Sequence, residues 1–155
     1  MTKDLFEVKA SIVAIGTAVC AFLGWKGIMA LVWVVSMALD YISGTAAACK
    51  EGEWSSSVAR GGLWHKGGMI LVVVVAAIAD GIMSVICENI PVLGIAWPSI
   101  ILPLVLAWYI LTELGSILEN AVKLGANVPE WLVKILKSSL KAVDAVADQN
   151  DADPE

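Results

Sequence analysis

Four long apolar stretches constrain this chain of 155 residues more than any other feature of its sequence; they cover residues 8–25, 27–49, 67–87 and 97–118. A helix needs about 20 such residues to cross the roughly 30 Å hydrocarbon layer of a membrane. Lipid cannot satisfy the polar groups of an irregular backbone, and none of the stretches alternates like a strand of a membrane barrel. The sequence therefore predicts an all-α, polytopic membrane protein with about four transmembrane helices.

The composition supports this class. Hydrophobic residues make up 59% of the chain, charged residues only 16%, and the mean hydropathy is +0.81, whereas about a quarter of the residues of a soluble domain are charged. The net charge of −5 would suit a soluble acidic protein, but it arises at the C-terminal end. The acids responsible are Asp144, Asp148, Asp151, Asp153 and Glu155.

The distribution of basic residues predicts the orientation in the membrane. The segment GWKG, residues 24–27, predicts a tight turn between the first two spans; otherwise these spans merge, or the first lies flat on the membrane. With four crossings and a cytoplasmic N-terminus, Lys26 alone is outside, and both termini are cytoplasmic. The predicted inner set is Lys3, Lys9, Lys50, Arg60, Lys66, Lys123, Lys134, Lys137 and Lys141. Of these, Lys50, Arg60, Lys66, Lys134, Lys137 and Lys141 are predicted at the membrane surface.

After a bundle spanning residues 1–126, the pattern changes. Residues 127–143 place apolar side chains on one side and lysines on another, which predicts a cytoplasmic amphipathic helix. This helix would lie on the inner leaflet, or would pack against the bundle or a second copy. Residues 144–155 are polar and acidic, and are predicted to be a disordered tail.

Three acids fall within the predicted spans: Asp40, Asp80 and Glu113. A charge at the centre of a membrane helix costs about 2.5 to 3.5 kcal/mol, so each acid needs water, a partner or a proton. Helical spacing places each on a stripe of small or polar residues, which suits close helix contacts. The oligomerisation and pore candidates on and beside these stripes are Asp40, Tyr41, Ser43, Gly44, Asp80, Ser84, Glu113, Ser116 and Asn120.

The stripes admit two explanations. They could hold one four-helix bundle together internally, with the aspartates protonated or bonded to hydroxyl groups. Alternatively, they could face other copies or a water-filled lesion, where many copies shelter the acids. The stripes alone leave both explanations open.

No catalytic, cofactor-binding or metal-binding residue is predicted, and neither is a nucleic-acid partner. Asp40 and Asp80 lack the glycine-flanked pattern of intramembrane aspartyl proteases. His65 has no second histidine or paired cysteine nearby to form a metal site. The segment RGGLWHKGG, residues 60–68, matches no phosphate-binding spacing and is predicted to be a flexible, basic re-entry into the third span.

Three motifs in chain order resemble those of a known family. LDYISGTAAACKEGEWSSS, RGGLWHKGG before a span, and LGSILENAVKLGANVPEWL are similar to the bacteriophage holin family that also includes the holin-like toxin-secretion proteins of clostridia. The matching residues are Asp40, Tyr41, Gly44, Ser55, Gly61, Lys66, Glu113, Ser116, Glu119, Asn120, Gly125 and Pro129. The tryptophan-rich linker around Trp54 and the long acidic end depart from the pattern.

The resemblance implies a non-enzymatic protein that forms homo-oligomers in the bacterial cytoplasmic membrane. There it would open lesions that release an endolysin or a toxin and permit lysis of the host cell. The alternative is a small ion-coupled membrane transporter or channel, in which an intramembrane acid binds cation and proton in turn. An anchor that recruits a soluble partner through the amphipathic helix is a third possibility.

Overall fold

The computed structural model describes residues 2–90, 94 and 96–151, which form five helices and, within those ranges, no strand. The helices are α1 (Thr2–Leu23), α2 (Trp25–Glu51), α3 (Ser56–Asn89), α4 (Ile101–Leu124) and α5 (Glu130–Asp151). The all-α prediction is therefore confirmed.

Within the described residues, three helices are long and apolar enough to cross a membrane. They are α2, the part of α3 at Arg60–Asn89, and α4. They correspond to the second, third and fourth predicted spans. The first predicted span coincides with most of α1, whose crossing of the membrane stays a prediction.

A single residue separates α1 from α2. Gly24 has φ 58° and ψ −136°, a conformation that residues with a Cβ rarely adopt. Beyond this break the helices lie side by side, since Ile12 and Gly16 of α1 line one apolar cavity with Ala30 and Val34 of α2. The GWKG segment thus forms the tight turn predicted for it.

The glycine-rich segment 60–68 is helical, so its prediction as a flexible re-entry was wrong. It belongs to the continuous 34-residue α3. Glycine in a helix costs about 1 kcal/mol relative to alanine, but an unsatisfied backbone group in hydrocarbon costs several. Near a membrane, the second cost exceeds the first, and the helix continues.

Helix α4 is the centre of the fold. It packs most extensively against α2 and also against α3 and α5, whereas α2 and α3 have little direct contact. The small apolar core between α2, α3 and α4 consists of Trp33, Met37, Met69, Ala76, Leu102 and Leu106. Most other large apolar side chains on α2 and α3 are exposed, as expected of helices that face lipid.

The cytoplasmic ends predicted for α2 and α4 are built alike. Gly52 and Gly125 follow the helices with φ 75° and 98°, and their N–H groups donate to carbonyls of the last turn. This is the usual glycine-ended helix terminus. Lys50 Nζ also donates to the backbone carbonyl of Lys123 at 3.1 Å, which joins the end of α2 to the end of α4.

Helix α5 folds back along α4. The indole Nε1 of Trp108 donates to Asp144 Oδ1 at 3.0 Å, far from the loop that connects the two helices. The backbone stays helical through Asp151, eight residues beyond the predicted end of the amphipathic helix. Most of the segment predicted as a disordered tail is therefore helical, and its last part, residues 152–155, lies outside the described residues.

Candidate functional site

The main polar site is an ionic cluster at the contact of α2, α3 and α4. Lys66 Nζ lies 2.9 Å from Asp40 Oδ2, and 2.8 and 2.7 Å from Glu113 Oε1 and Oε2. One ammonium group thus donates to two carboxylates, each from a different neighbouring helix. All three hydrogen bonds that an ammonium can donate are used.

The cluster is largely shielded from its surroundings. The side chains of Lys66, Asp40 and Glu113 are 13%, 19% and 5% exposed. Charges removed from water are stable only when paired and hydrogen-bonded, and removal of one partner leaves the others uncompensated. The three residues therefore form one unit that holds three helices together.

The position of the cluster follows from the direction of the helices. Asp40 and Glu113 each lie about three turns before the end of their helix, roughly 16 Å at 1.5 Å per residue. Because α2 and α4 run parallel, with Trp33 stacked on Tyr109 at 6.0 Å, the two acids come to the same depth. That depth is near the middle of a bilayer about 30 Å thick.

Asn120 extends the cluster by one helical turn. Its amide Nδ2 donates to Asp40 Oδ1 at 3.2 Å and to Ser43 Oγ at 3.1 Å. A Cβ at Gly44 would lie 3.4 Å from the same amide nitrogen, so the contact has room for one methyl group and little more. Ser116 lies beside Asp40 across the contact between α2 and α4.

A cavity of about 190 Å³ reaches the cluster from the gap between α2 and α3. It has Asp40 and Lys66 in its wall, together with two aromatic residues, Tyr41 and Trp54. Gly44 and Gly62 add little bulk from either side. Water therefore has space next to the ionic pair without any movement of the helices.

Asp80 belongs to a second site, at the other end of the bundle. Its carboxylate accepts hydrogen bonds from the backbone N–H of Ile101 (3.2 Å) and of Leu102 (2.9 Å), and from Trp97 Nε1 at 2.8 Å. The next residue, Pro103, has no N–H to satisfy. Asp80 thus caps α4 from a neighbouring helix, where the helix dipole also favours a negative charge.

Ser84 lies one turn from Asp80, and its hydroxyl is 3.2 Å from that of Ser99 in the connection to α4. Ser99 has φ 49°, which is unusual for a residue other than glycine. Together, the two sites fix both ends of the contact between α3 and α4.

The structure brings most of the predicted stripe residues into the ionic cluster: Asp40, Ser43, Gly44, Glu113, Ser116 and Asn120. Tyr41 lines the adjoining cavity, while Asp80 and Ser84 are in the second site. Lys66, predicted at the membrane surface, pairs with the two acids of the cluster, and its side chain is 13% exposed. The other predicted surface residues, Lys50, Arg60, Lys134, Lys137 and Lys141, have exposed side chains.

Among the described residues, no group of three or more histidine, cysteine or acidic side chains could hold a metal ion.

A sequence profile of the bacteriophage holin family matches residues 17–141, which include the ionic cluster and the Asp80 cap. The chain belongs to the bacteriophage holin family. This is not a family of enzymes. Family membership and the three apolar helices support a membrane location and a phage-type holin role.

The similar proteins are themselves uncharacterized. A 14.9 kDa protein from the nagH 3′ region of Clostridium perfringens is 31% identical, over 88% of this chain and 96% of its own. The protein BH0965 of Halalkalibacterium halodurans is 32% identical, over 84% of this chain and 93% of its own. Lmo0128 of Listeria monocytogenes is 28% identical, over 93% of this chain and 91% of its own. No solved structure matches the chain.

Proposed function

We propose that this holin-family protein accumulates in the bacterial cytoplasmic membrane, oligomerises there and opens lesions through which an endolysin or a toxin leaves, so that the host cell lyses. Before lesions form, both termini are in the cytoplasm. The positive-inside distribution supports this orientation.

The observation that carries the proposal is the Lys66–Asp40–Glu113 cluster at mid-membrane depth. It contains two carboxyl groups for one ammonium group, at a place where hydrocarbon would make unpaired charge costly. Such a cluster is tolerated while the helices shelter it. It also offers strongly hydrated groups to any aqueous opening that forms beside it.

The cavity beside Asp40 supports the same proposal, because it gives water a place next to the acid. In the protomer, Asp40 faces a helix contact. In the lesion, the same carboxylate faces water or a neighbouring copy. The exposed apolar surfaces of α2 and α3 meet lipid in the first state and can meet other copies in the second.

The test is inducible expression in a bacterium, with growth and membrane potential followed together, with and without a co-expressed soluble endolysin. An abrupt stop in growth after a quiet interval, with lysis only when the endolysin is present, is the expected result. Steady growth with an intact potential would contradict the proposal and favour an ion-coupled transporter. Reporter fusions at each terminus test the orientation.

A further inference from the structure

The position of α5 conflicts with its chemistry if the surroundings are lipid. Trp108, whose indole binds Asp144, lies roughly 24 Å from the end of α4 at 1.5 Å per residue. Helix α5 therefore runs beside α4 through most of the depth of a membrane. Its 22 residues extend roughly 33 Å, enough to cross the hydrocarbon layer.

The outer face of α5 is unsuited to lipid at that depth. Its lysines, Lys134, Lys137 and Lys141, have exposed side chains, and so does Asp144. Its half-buried residues include Leu132, Val133, Leu136, Leu140 and Val143. Of these, Val133, Leu136 and Leu140 line cavities shared with α4. A helix with one apolar and one charged face is stable at membrane depth only if water meets the charged face.

The contact between α4 and α5 is itself polar at several levels. Glu119 of α4 and Lys137 of α5 line the same two cavities, so opposite charges lie on the two sides of the contact. Thr112 and Ser116 line one of these cavities with Leu140. Further along, Trp108 and Asp144 form their hydrogen bond. The two helices therefore contact one another along their lengths and not only next to the loop that connects them.

We propose that α5 lines the lesion: each copy keeps α5 alongside α4, and the charged faces of many α5 helices surround the water. This inference rests on the proposed function and names the surface that the aqueous opening uses. Helix α5 keeps the place beside α4 that it has in the protomer. In the lesion, its C-terminal end reaches the level of the start of α4.

The experiment fixes α5 to α4 and asks whether lesions still form. The full chain, with Cys20, Cys49 and Cys87 replaced by serine, receives Trp108→Cys with Asp144→Cys, or Thr112→Cys with Leu140→Cys. Each pair is linked in detergent by a short, reducible thiol cross-linker, and the protein is then reconstituted into vesicles of phosphatidylethanolamine and phosphatidylglycerol that contain a fluorescent dextran. The four single-cysteine variants, treated alike, are the matched controls.

We expect both linked proteins to release the dextran as fast as the single-cysteine controls. Loss of release in the linked proteins, restored by reductant, would show that α5 must leave α4 and would overturn the inference. Failure of either pair to link would overturn it too, because the two helices would then not be neighbours. If the unmodified protein releases nothing, the proposed function fails instead, so the two failures are distinguished.

Discussion

The ammonium group of Lys66 lies 2.7 Å from a carboxylate oxygen of Glu113, although 47 residues separate them in the chain. The contact joins α3 to α4, and the hydrogen bond to Asp40 joins the same ammonium group to α2. A single positive charge therefore determines how three membrane helices meet.

Replacement of Lys66 by methionine should destabilise the protein strongly. The variant Lys66→Met keeps a long side chain but leaves two shielded carboxylates without their partner, at a cost of about 3 to 5 kcal/mol. The measurement is the free energy of unfolding in mixed detergent micelles. Lys134→Met is the control, since Lys134 is 77% exposed and pairs with Glu130, which is 90% exposed. The free energy of unfolding of this variant should stay within about 0.5 kcal/mol of the unchanged protein. Equal stability of the two variants would refute the role of the cluster.

Asp80→Asn should loosen the start of α4. An asparagine has one acceptor oxygen where the carboxylate has two, and its NH₂ group would face a backbone N–H. We expect a loss of about 1 to 2 kcal/mol, as for a lost helix cap. Hydrogen exchange at the amides of Ile101 and Leu102 should become faster. The control is Glu88→Gln, whose side chain is exposed; unchanged exchange in Asp80→Asn would contradict the capping role.

Gly44→Val should displace Asn120 from Asp40. Alanine at this position places its Cβ in ordinary contact with the amide, but the extra methyl groups of valine need space that Asn120 occupies. Overpacking of this kind costs about 1 to 3 kcal/mol. Gly16→Val is the matched control, because a Cβ at Gly16 meets nothing within 4 Å. Thermal unfolding is measured for Gly44→Val, Gly44→Ala and Gly16→Val. If Gly44→Val were as stable as Gly44→Ala, a close approach of Asn120 to Gly44 would be excluded.

Asn120→Ala removes the donor to both Asp40 and Ser43. Two partly buried acceptors then lose a hydrogen bond, and the free energy of unfolding should fall by about 1 to 3 kcal/mol. Ser43→Ala should lower the free energy of unfolding by less in the Asn120→Ala variant than in the unchanged protein, because the two side chains share one network. Asn89→Ala, which loses an exposed hydrogen bond to the Val85 carbonyl, serves as the reference. Full additivity would argue that the network is not coupled.

Asp40→Asn tests the acid in the cell. If the Asp40 carboxylate is hydrated when the lesion opens, its loss should delay the abrupt stop in growth and alter the size of the oligomers. The amide keeps the shape of the side chain, and Glu113 stays to pair with Lys66. Lysis is followed by culture density after induction. Glu53→Gln, a change at an exposed acid, is the control. Unchanged timing and oligomer size would remove Asp40 from the mechanism.

Helical spacing was enough to predict that Asp40, Ser43, Glu113 and Asn120 belong to contacting faces. Spacing describes one helix at a time, so it could not show that the faces of α2 and α4 meet each other at the same depth. That match depends on the parallel direction of the two helices and on their ends at Gly52 and Gly125.

Lys66 was missed because it precedes the third predicted span and lies among glycines, which indicated a loop. A partial signal was available: acids within the spans require a cation, and Lys66 directly precedes the third span. Lys26 and Lys50 adjoin spans in the same way, so position along the chain could not single out Lys66. The partners of Asp80 were out of reach, since two of them are backbone N–H groups and no side-chain pattern reveals those.

The order in which the chain is made gives the central position of α4 a further meaning. Translation delivers α2 and α3 first, yet these helices have little direct contact and depend on a neighbour that the ribosome has not yet produced. Asp40 and Lys66 therefore enter the membrane before Glu113, the residue that accepts the other two hydrogen bonds of the ammonium group. A chain interrupted before residue 101 would lack the helix that binds the others, and Lys66 would have only Asp40 of its two partners.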